Sequence, residues 1–157
     1  MSYKNITETY SLTYDDISLL PDQISAIQHR SGCDTSADFL GVKLDIPIIG
    51  SPMNTVTGGR MAKALADLKC LGVVHRFNTI EEQIEEFDDN DLKNSEYKSA
   101  AIGINKAVDK ERLQKLADYG IKIICIDIAN GGSKMIEGFL NDIQSMIKSY
   151  DLKIIAG

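Results

Sequence analysis

The sequence has no long hydrophobic run and no excess of positive charge. No apolar stretch approaches the roughly 18 residues that a membrane-spanning helix needs. The polar N-terminus, residues 1–10, lacks the apolar segment of a secretion signal. The net charge of −6 argues against a basic surface for nucleic acid. We therefore expect a cytoplasmic protein with neither membrane nor nucleic-acid partners. The net charge is still compatible with a local cationic site for a phosphorylated small molecule.

Cysteines are few, and common catalytic and metal-binding motifs are absent. Cys33, Cys70 and Cys125 are an odd number at wide spacing, which fits reduced thiols better than a disulfide framework or a zinc site. The sequence contains no nucleophile elbow, no Walker loop and no zinc-ligand spacing. The acidic run 81–86 is typical of a solvated helix face. We expect no metal site.

The composition and the alternation of patterns predict one α/β domain. Hydrophobic residues make up 43% of the chain and charged residues 25%, as in ordinary globular proteins. Residues 1–45 show no sustained period and are predicted to form an N-terminal arm. From residue 46 onward, apolar runs alternate with amphipathic segments. The predicted strands are 46–50, 71–75, 99–104, 123–126 and 152–156.

Four predicted helices separate these strands. Thr57, Thr79 and Asp109 are the expected N-terminal caps of the first three helices, and Gly120 is the expected stop of the third. Strands that alternate with helices predict right-handed crossovers and a parallel sheet. The sheet could be an open, doubly wound one or the first part of an eight-stranded barrel.

The stretch 121–132, IKIICIDIANGG, carries the main functional signal. Its apolar run is typical of a strand buried on both faces, and Asp127 lies where that strand ends. The loops after parallel strands gather at one edge of the sheet, where α/β folds bind ligands. Those loops contain 51–55, 75–77, 105–106 and 127–131. One hydroxyl, two cations, one carboxylate and several amides in these loops would suit a sugar-phosphate ligand.

Structural interpretations compete with each functional one. Asp127 could merely cap a turn, and His75 at a strand end is more often a structural histidine than a base. Arg76 could be an ordinary surface cation, and Met53 could be a packed loop side chain. Cys125, in the middle of a strand, is predicted to be a buried thiol and not a nucleophile.

Several stretches together resemble the IMP dehydrogenase/GMP reductase family, in order and spacing. They are Leu12–Ile17 (LTYDDI) with Leu19–Pro21 (LLP), Arg30–Thr35 (RSGCDT), Pro47–Thr57 (PIIGSPMNTVT), Gly72–Phe77 (GVVHRF), Ile126–Gly131 (IDIANG) and Ile154–Gly157 (IIAG). The resemblance implies a parallel (β/α)8 TIM barrel, of which residues 46–157 supply about five strands and four helices. It also implies a homotetramer that transfers a hydride between the C2 of a purine nucleotide monophosphate and a nicotinamide cofactor.

The resemblance also implies roles for individual residues. Ser51 and Met53 would line the nucleotide site. Asp127, with Ile128, Ala129, Asn130 and Gly131, would meet the nicotinamide riboside. Arg76, and Arg30 from a neighbouring subunit, would bind the rest of the cofactor.

The family's catalytic cysteine follows a sixth strand, beyond Gly157, and none of the three cysteines here matches it. We therefore predict that this chain alone does not turn over and is part of a longer or split enzyme. The connection 88–98 is too short for the paired CBS domains of most IMP dehydrogenases. That feature and the 127–131 stretch favour GMP reductase with NADPH. Ser51–Met53 instead resembles IMP dehydrogenase, which uses NAD and a monovalent cation. A non-catalytic half-barrel that binds nucleotide or a partner chain is the alternative from another class.

Overall fold

The computed structural model describes residues 13–21, 23, 24 and 26–157. Residues 1–12, 22 and 25 of the predicted arm lie outside the described residues, including Leu12 of the first family-like stretch. The chain divides into two compact units, residues 1–34 and 35–157. In the first unit, short 3-10 turns span Tyr14–Asp16 and Arg30–Gly32.

The second unit, residues 35–157, contains an antiparallel hairpin and a parallel sheet with four helices. The hairpin strands are β1 (Ala37–Phe39) and β2 (Val42–Leu44). The sheet strands are β3 (Ile49–Gly50), β4 (Leu71–Val74), β5 (Lys98–Ile102), β6 (Ile123–Ile126) and β7 (Lys153–Ala156). The helices are α1 (Gly59–Asp67), α2 (Ile80–Asp88), α3 (Val108–Asp118) and α4 (Lys134–Tyr150).

The five sheet strands are parallel and lie in chain order, β3-β4-β5-β6-β7. The predicted succession of strands and helices is therefore confirmed. The first strand is shorter than the predicted 46–50, since Pro47 has no N–H to donate to a ladder. The connection between α2 and β5 spans residues 89–97.

All four helices pack on the same face of the sheet. Val74, Ala100 and Ile124 stand beside one another in register and are fully buried against the helices. The alternate residues Ala101 and Cys125 point to the opposite face and form a separate cluster. A doubly wound sheet would carry helices on both faces, whereas a barrel carries them outside only. The curled sheet is thus a partial (β/α) barrel, as predicted, and not a doubly wound sheet.

The hairpin packs on the inner side of the sheet near the amino ends of the strands. Leu44, 1% exposed, forms a cluster with Leu71 and Ile123, the first residues of β4 and β6. Leu40 and Gly41 both have positive φ in the two-residue turn between its strands. The hairpin lies within residues 1–45 yet shares a compact unit with the sheet. The boundary of the arm at residue 45 stays a prediction.

Two of the four predicted helix ends are confirmed. Thr79 begins α2 in a reciprocal capping box, because its hydroxyl accepts from Glu82 N at 3.2 Å and the Glu82 carboxylate accepts from Thr79 N at 2.8 Å. Gly120 ends α3 at φ +95°, in the left-handed region that glycine tolerates.

The other two predicted caps are wrong. Helix α1 begins at Gly59, whose N–H donates to the Glu86 carboxylate of α2 at 2.6 Å, and Thr57 is buried before it. Helix α3 begins at Val108, and the side chain of Asn105 accepts its N–H at 3.3 Å. The carboxylate of Asp109 instead turns back to the preceding loop. A cap supplied by another helix cannot be recognised from local spacing.

Candidate active site

The candidate site lies at the carboxyl edge of the parallel sheet. The loop after β3 carries Ser51 and Met53, the loop after β4 carries Arg76, and the loop after β6 carries Asp127. Because the strands are parallel and adjacent, their carboxyl ends bring these loops to one edge of the sheet. The backbone of these three loops therefore converges on one edge of the sheet, as predicted.

An ion pair joins two of the predicted site residues. The Nε of Arg76 donates to an oxygen of Asp127 at 3.1 Å, and the two side chains are 30% and 28% exposed. Since β5 lies between β4 and β6, the pair crosses the end of the intervening strand. The Arg76 guanidinium also lies 5.0 Å from the centre of the Phe77 ring. Both charges are thus fixed in position while part of each still faces solvent.

Gly103, at the end of β5, provides the room for this crossing. A Cβ at this position would lie 3.3 Å from the Nη1 of Arg76 and 2.7 Å from a carboxylate oxygen of Asp109. The Asp109 carboxylate accepts from the N–H groups of Gly103 and Asn105 at 2.9 and 2.7 Å. A side chain at residue 103 would crowd both the Arg76 guanidinium and the Asp109 carboxylate, so Gly103 leaves room for the two groups.

The turn after β6 is fixed by its own backbone and by the end of β7. Ile128 N donates to Gly157 O at 3.3 Å, and Asn130 accepts the N–H of Gly132 with its side chain at 3.0 Å. A Cβ on Gly131 would lie 2.9 Å from Ala156 O, so a larger residue would displace this turn. Ser133 then caps α4. The exposed Ala129 and Asn130 lie at the outer side of the turn.

The loop after β3 is compact, and its two predicted site residues face outward. Met53 N donates to Ser51 O at 2.8 Å, and Met53 O accepts from Val56 N and Thr57 N at 2.9 Å each. Ser51 is exposed, and Met53 is 52% exposed. Both side chains are therefore accessible to a ligand at this edge.

Two other predicted loop residues have different partners. His75 is 8% exposed, and its Nδ1 accepts from Phe77 N at 3.2 Å, which fits the structural interpretation of this histidine. Lys106 forms an ion pair with Asp142 of α4, with its Nζ 2.6 Å from a carboxylate oxygen, and not with Asp127. Arg30 is exposed in the first compact unit, and its predicted role stays a prediction.

The two buried cysteines of the second unit, Cys70 and Cys125, provide no nucleophile for this site. Cys125 is buried in β6, as predicted, and burial together with the nearby Asp127 raises the pKa of its thiol to about 11. Cys70 is buried immediately before β4, and Cys33 is exposed in the first unit. Cys125 is therefore a neutral core thiol at physiological pH.

Sequence reasoning missed a buried polar pair behind the site, Gln83 on α2 and Arg112 on α3. Gln83 is fully buried and Arg112 is 6% exposed. Gln83 lies on the apolar stripe of its helix, three residues after Ile80 and four before Phe87. A polar residue at a position that faces the core was the available signal.

Within the described residues, no cluster of three or more His, Cys, Asp or Glu side chains is suited to holding a metal ion. The helices of the same residues also lack the length and apolar character needed to cross a membrane.

The fold is that of a partial (β/α) barrel with the candidate site at its carboxyl edge. The family model of the IMP dehydrogenase / GMP reductase domain matches residues 11–157. The chain therefore belongs to the IMP dehydrogenase/GMP reductase family, both of whose names denote oxidoreductases.

Individual relatives agree with this membership. The chain is 32% identical over 146 residues to a GMP reductase of Staphylococcus aureus, covering 92% of this chain and 43% of that protein. It is 43% identical over 83 residues to an inosine-5'-monophosphate dehydrogenase of Methanocaldococcus jannaschii, covering 53% of this chain and 16% of that protein. A crystal structure of inosine 5'-monophosphate dehydrogenase from Legionella pneumophila matches with a TM-score of 0.78 at 28% identity, covering 94% of this chain and 44% of that one. The chain thus spans less than half the length of these relatives.

Proposed function

We propose that this chain supplies the cofactor-binding part of an oxidoreductase that transfers a hydride between the C2 of a purine nucleotide monophosphate and a nicotinamide cofactor. The observation that carries the proposal is the Arg76–Asp127 ion pair at the carboxyl edge of the sheet, at 3.1 Å, in a chain of this family. The pair places one anion and one cation at the edge where barrels of this kind bind ligands.

The residues of this edge fit a nicotinamide nucleotide. Asp127 accepts one hydrogen bond from Arg76, and a carboxylate has further lone pairs that accept from ribose hydroxyls. The part-exposed guanidinium of Arg76 suits a phosphate oxygen. Ile128, Ala129, Asn130 and Gly131 would complete the riboside contacts. The bound cofactor would supply or accept the hydride, while these residues orient it.

The purine nucleotide would bind beside the loop after β3. Ser51 and Met53 are both accessible there, one with a hydroxyl and one with a flexible apolar side chain suited to a planar base. Arg30 would contribute from a neighbouring subunit of a homotetramer. We assign no catalytic nucleophile to the three cysteines, and we expect no turnover by the isolated chain.

GMP reductase with NADPH is the branch that we favour, because residues 89–97 leave a short connection between α2 and β5. IMP dehydrogenase with NAD and a monovalent cation is the alternative, supported by the Ser51–Met53 sequence. We place the protein in the cytoplasm. A non-catalytic half-barrel that binds nucleotide remains the competing class.

Calorimetric titration of the purified chain with NADPH, NAD, GMP and IMP tests the binding part of the proposal. Asp127→Asn should weaken cofactor binding by about tenfold or more, because it removes a charged hydrogen-bond acceptor. Asp45→Asn is the matched control, since Asp45 forms an ion pair with Lys69 at 3.0 Å just before β3, at the opposite edge. Equal losses in the two variants would contradict the assignment of Asp127.

A chimera separates an enzyme from a binding module. Residues 1–157 joined to the carboxyl-terminal part of the Staphylococcus aureus GMP reductase should oxidise NADPH in the presence of GMP, and Asp127→Asn should abolish this activity. A folded chimera that binds GMP but turns over neither GMP nor IMP would favour the non-catalytic alternative.

A further inference from the structure

A buried polar network lies directly behind the loop that carries Arg76. The Nε2 group of Gln83 lies 2.9 Å from His75 O, 3.0 Å from Ala101 O and 3.3 Å from Val74 O, so it donates to carbonyls at the ends of two neighbouring strands. Its Oε1 accepts from Arg112 Nη1 at 2.7 Å. One amide thus links β4, β5 and α3.

Arg112 extends the network along the same loop. Its Nη2 donates to Asn78 O at 2.7 Å, and its Nη1 also lies 3.5 Å from Thr79 O. Gln83 and Arg112 together therefore donate to the backbone carbonyls of residues 75, 78 and 79. Arg76 belongs to this short segment and projects the other way, to Asp127.

Burial of the Arg112 guanidinium costs free energy that a purely structural role does not explain. Arg112 forms no ion pair within 4 Å among the described residues, and its Nε is buried without a partner. Burial lowers the pKa of the Arg112 guanidinium, an effect that nearby Asp109 opposes and nearby Arg76 reinforces. Replacement of a whole buried polar pair, here Gln83 with Arg112, by apolar side chains of similar volume is often neutral for stability. The planar fork of arginine, however, can hold Gln83 Oε1 and Asn78 O at the same time.

We propose that Arg112 is a positioning residue that acts through Gln83 and the 75–79 backbone to hold Arg76 against Asp127. Its use in cofactor binding rests on the function proposed above, whereas its effect on the ion pair does not. The network sets the course of the loop, Gly103 leaves space beside the end of β5, and Arg76 crosses β5 to reach the end of β6.

Side-chain NMR of the whole chain tests this inference. The sequence contains four arginines, Arg30, Arg60, Arg76 and Arg112, so the Nε–H spectrum is simple, and Arg76→Lys assigns the signal of interest. In Arg112→Met, the Arg76 Nε–H should exchange with solvent about fivefold faster than in the parent, because the pair to Asp127 is no longer held. Arg60→Met, an exposed position on α1, should leave this rate unchanged.

The same variants distinguish positioning from general stability. Arg112→Met should melt below the parent, because it leaves the buried Gln83 Oε1 without a donor. Its Arg76 exchange rate is therefore compared with that of the parent well below both unfolding transitions, where the variant should still lose the Arg76 signature. Arg112→Lys repeats the comparison if the methionine variant does not fold, because one ammonium does not reproduce the planar two-pronged contact. An unchanged Arg76 exchange rate in a folded Arg112 variant would overturn the inference. An altered rate in a chain that binds no nicotinamide nucleotide would support this inference and overturn the proposed function.

Discussion

The amino and carboxyl ends of the parallel sheet differ in what holds them together. At the amino end, Leu44 of the hairpin packs against Leu71 and Ile123 in an apolar cluster. At the carboxyl end, Arg76 and Asp127 form a part-exposed ion pair above buried polar side chains. The difference indicates that the amino end contributes stability and the carboxyl end holds groups available for ligands, as in other barrels of this type.

Leu44→Ala is expected to have the largest effect on stability. Leu44 is 1% exposed, and truncation of a buried leucine costs about 2–5 kcal/mol. Chemical denaturation should show this loss, while the Arg76 Nε–H signal at the carboxyl end stays in place below the transition. Leu68→Ala, at a position 62% exposed, is the control and should change stability little. A loss of the Arg76 signal in folded Leu44→Ala would show that the two ends are not independent.

Gly59→Ala should have the next largest effect, at the start of the helix that follows the Ser51–Met53 loop. A Cβ there would lie 2.2 Å from the backbone oxygen of Glu86, so α1 and α2 would have to separate, at a cost of about 1–3 kcal/mol.

Gly138→Ala is the matched control for this substitution. Gly138 lies within α4 and has open space around its Cβ position, so alanine should stabilise the protein by about 0.5–1 kcal/mol. Thermal unfolding of the two variants should thus shift in opposite directions. Equal shifts would mean that the close approach of α1 to α2 does not matter for stability.

The last effect concerns Cys125 on the inner face; it is absent at neutral pH and appears only at high pH. Its folded pKa of about 11 exceeds the value of about 8.5 in an unfolded chain. Below both values the thiol is protonated in both states, and as pH rises between them the unfolded state loses its proton first, so stability falls. The fall is at most about 1.4 kcal/mol per pH unit.

Denaturation of the parent and of Cys125→Ala at several pH values measures this contribution. The difference between their unfolding free energies should shrink as pH rises toward 11, because alanine has no proton to lose. A difference that stays constant with pH would show that the thiol is not held neutral. The buried Cys70 near the amino end is present in both proteins and therefore cancels.

The sequence predicted elements whose causes are local and missed contacts whose causes are distant. Thr79 and Gly120 could be recognised because a capping box and a glycine stop depend on neighbouring residues. Arg76 and Asp127 could each be selected as residues at strand ends. Their pairing could not be predicted, because it depends on β5 lying between their strands and on Gly103, which directly follows β5.

The missed residues share a further property. Gln83 and Arg112 bind backbone carbonyls, which every residue has, so no sequence pattern identifies their partners. The Glu86 side chain at the start of α1 was missed for a related reason, since the two groups are 27 residues apart. The part-barrel itself followed from hydrophobic periodicity and from the family resemblance.

The crossing of β5 by Arg76 also has a consequence for how the chain folds. The Arg76–Asp127 contact closes a loop of 51 residues, and the Arg112–Asn78 contact closes one of 34 residues. Such contacts form only after the loop-closure entropy has been overcome by strand pairing. We therefore expect the carboxyl edge to assemble late, after β4, β5 and β6 have paired, and a chain that stalls earlier to have a partial sheet without this ion pair.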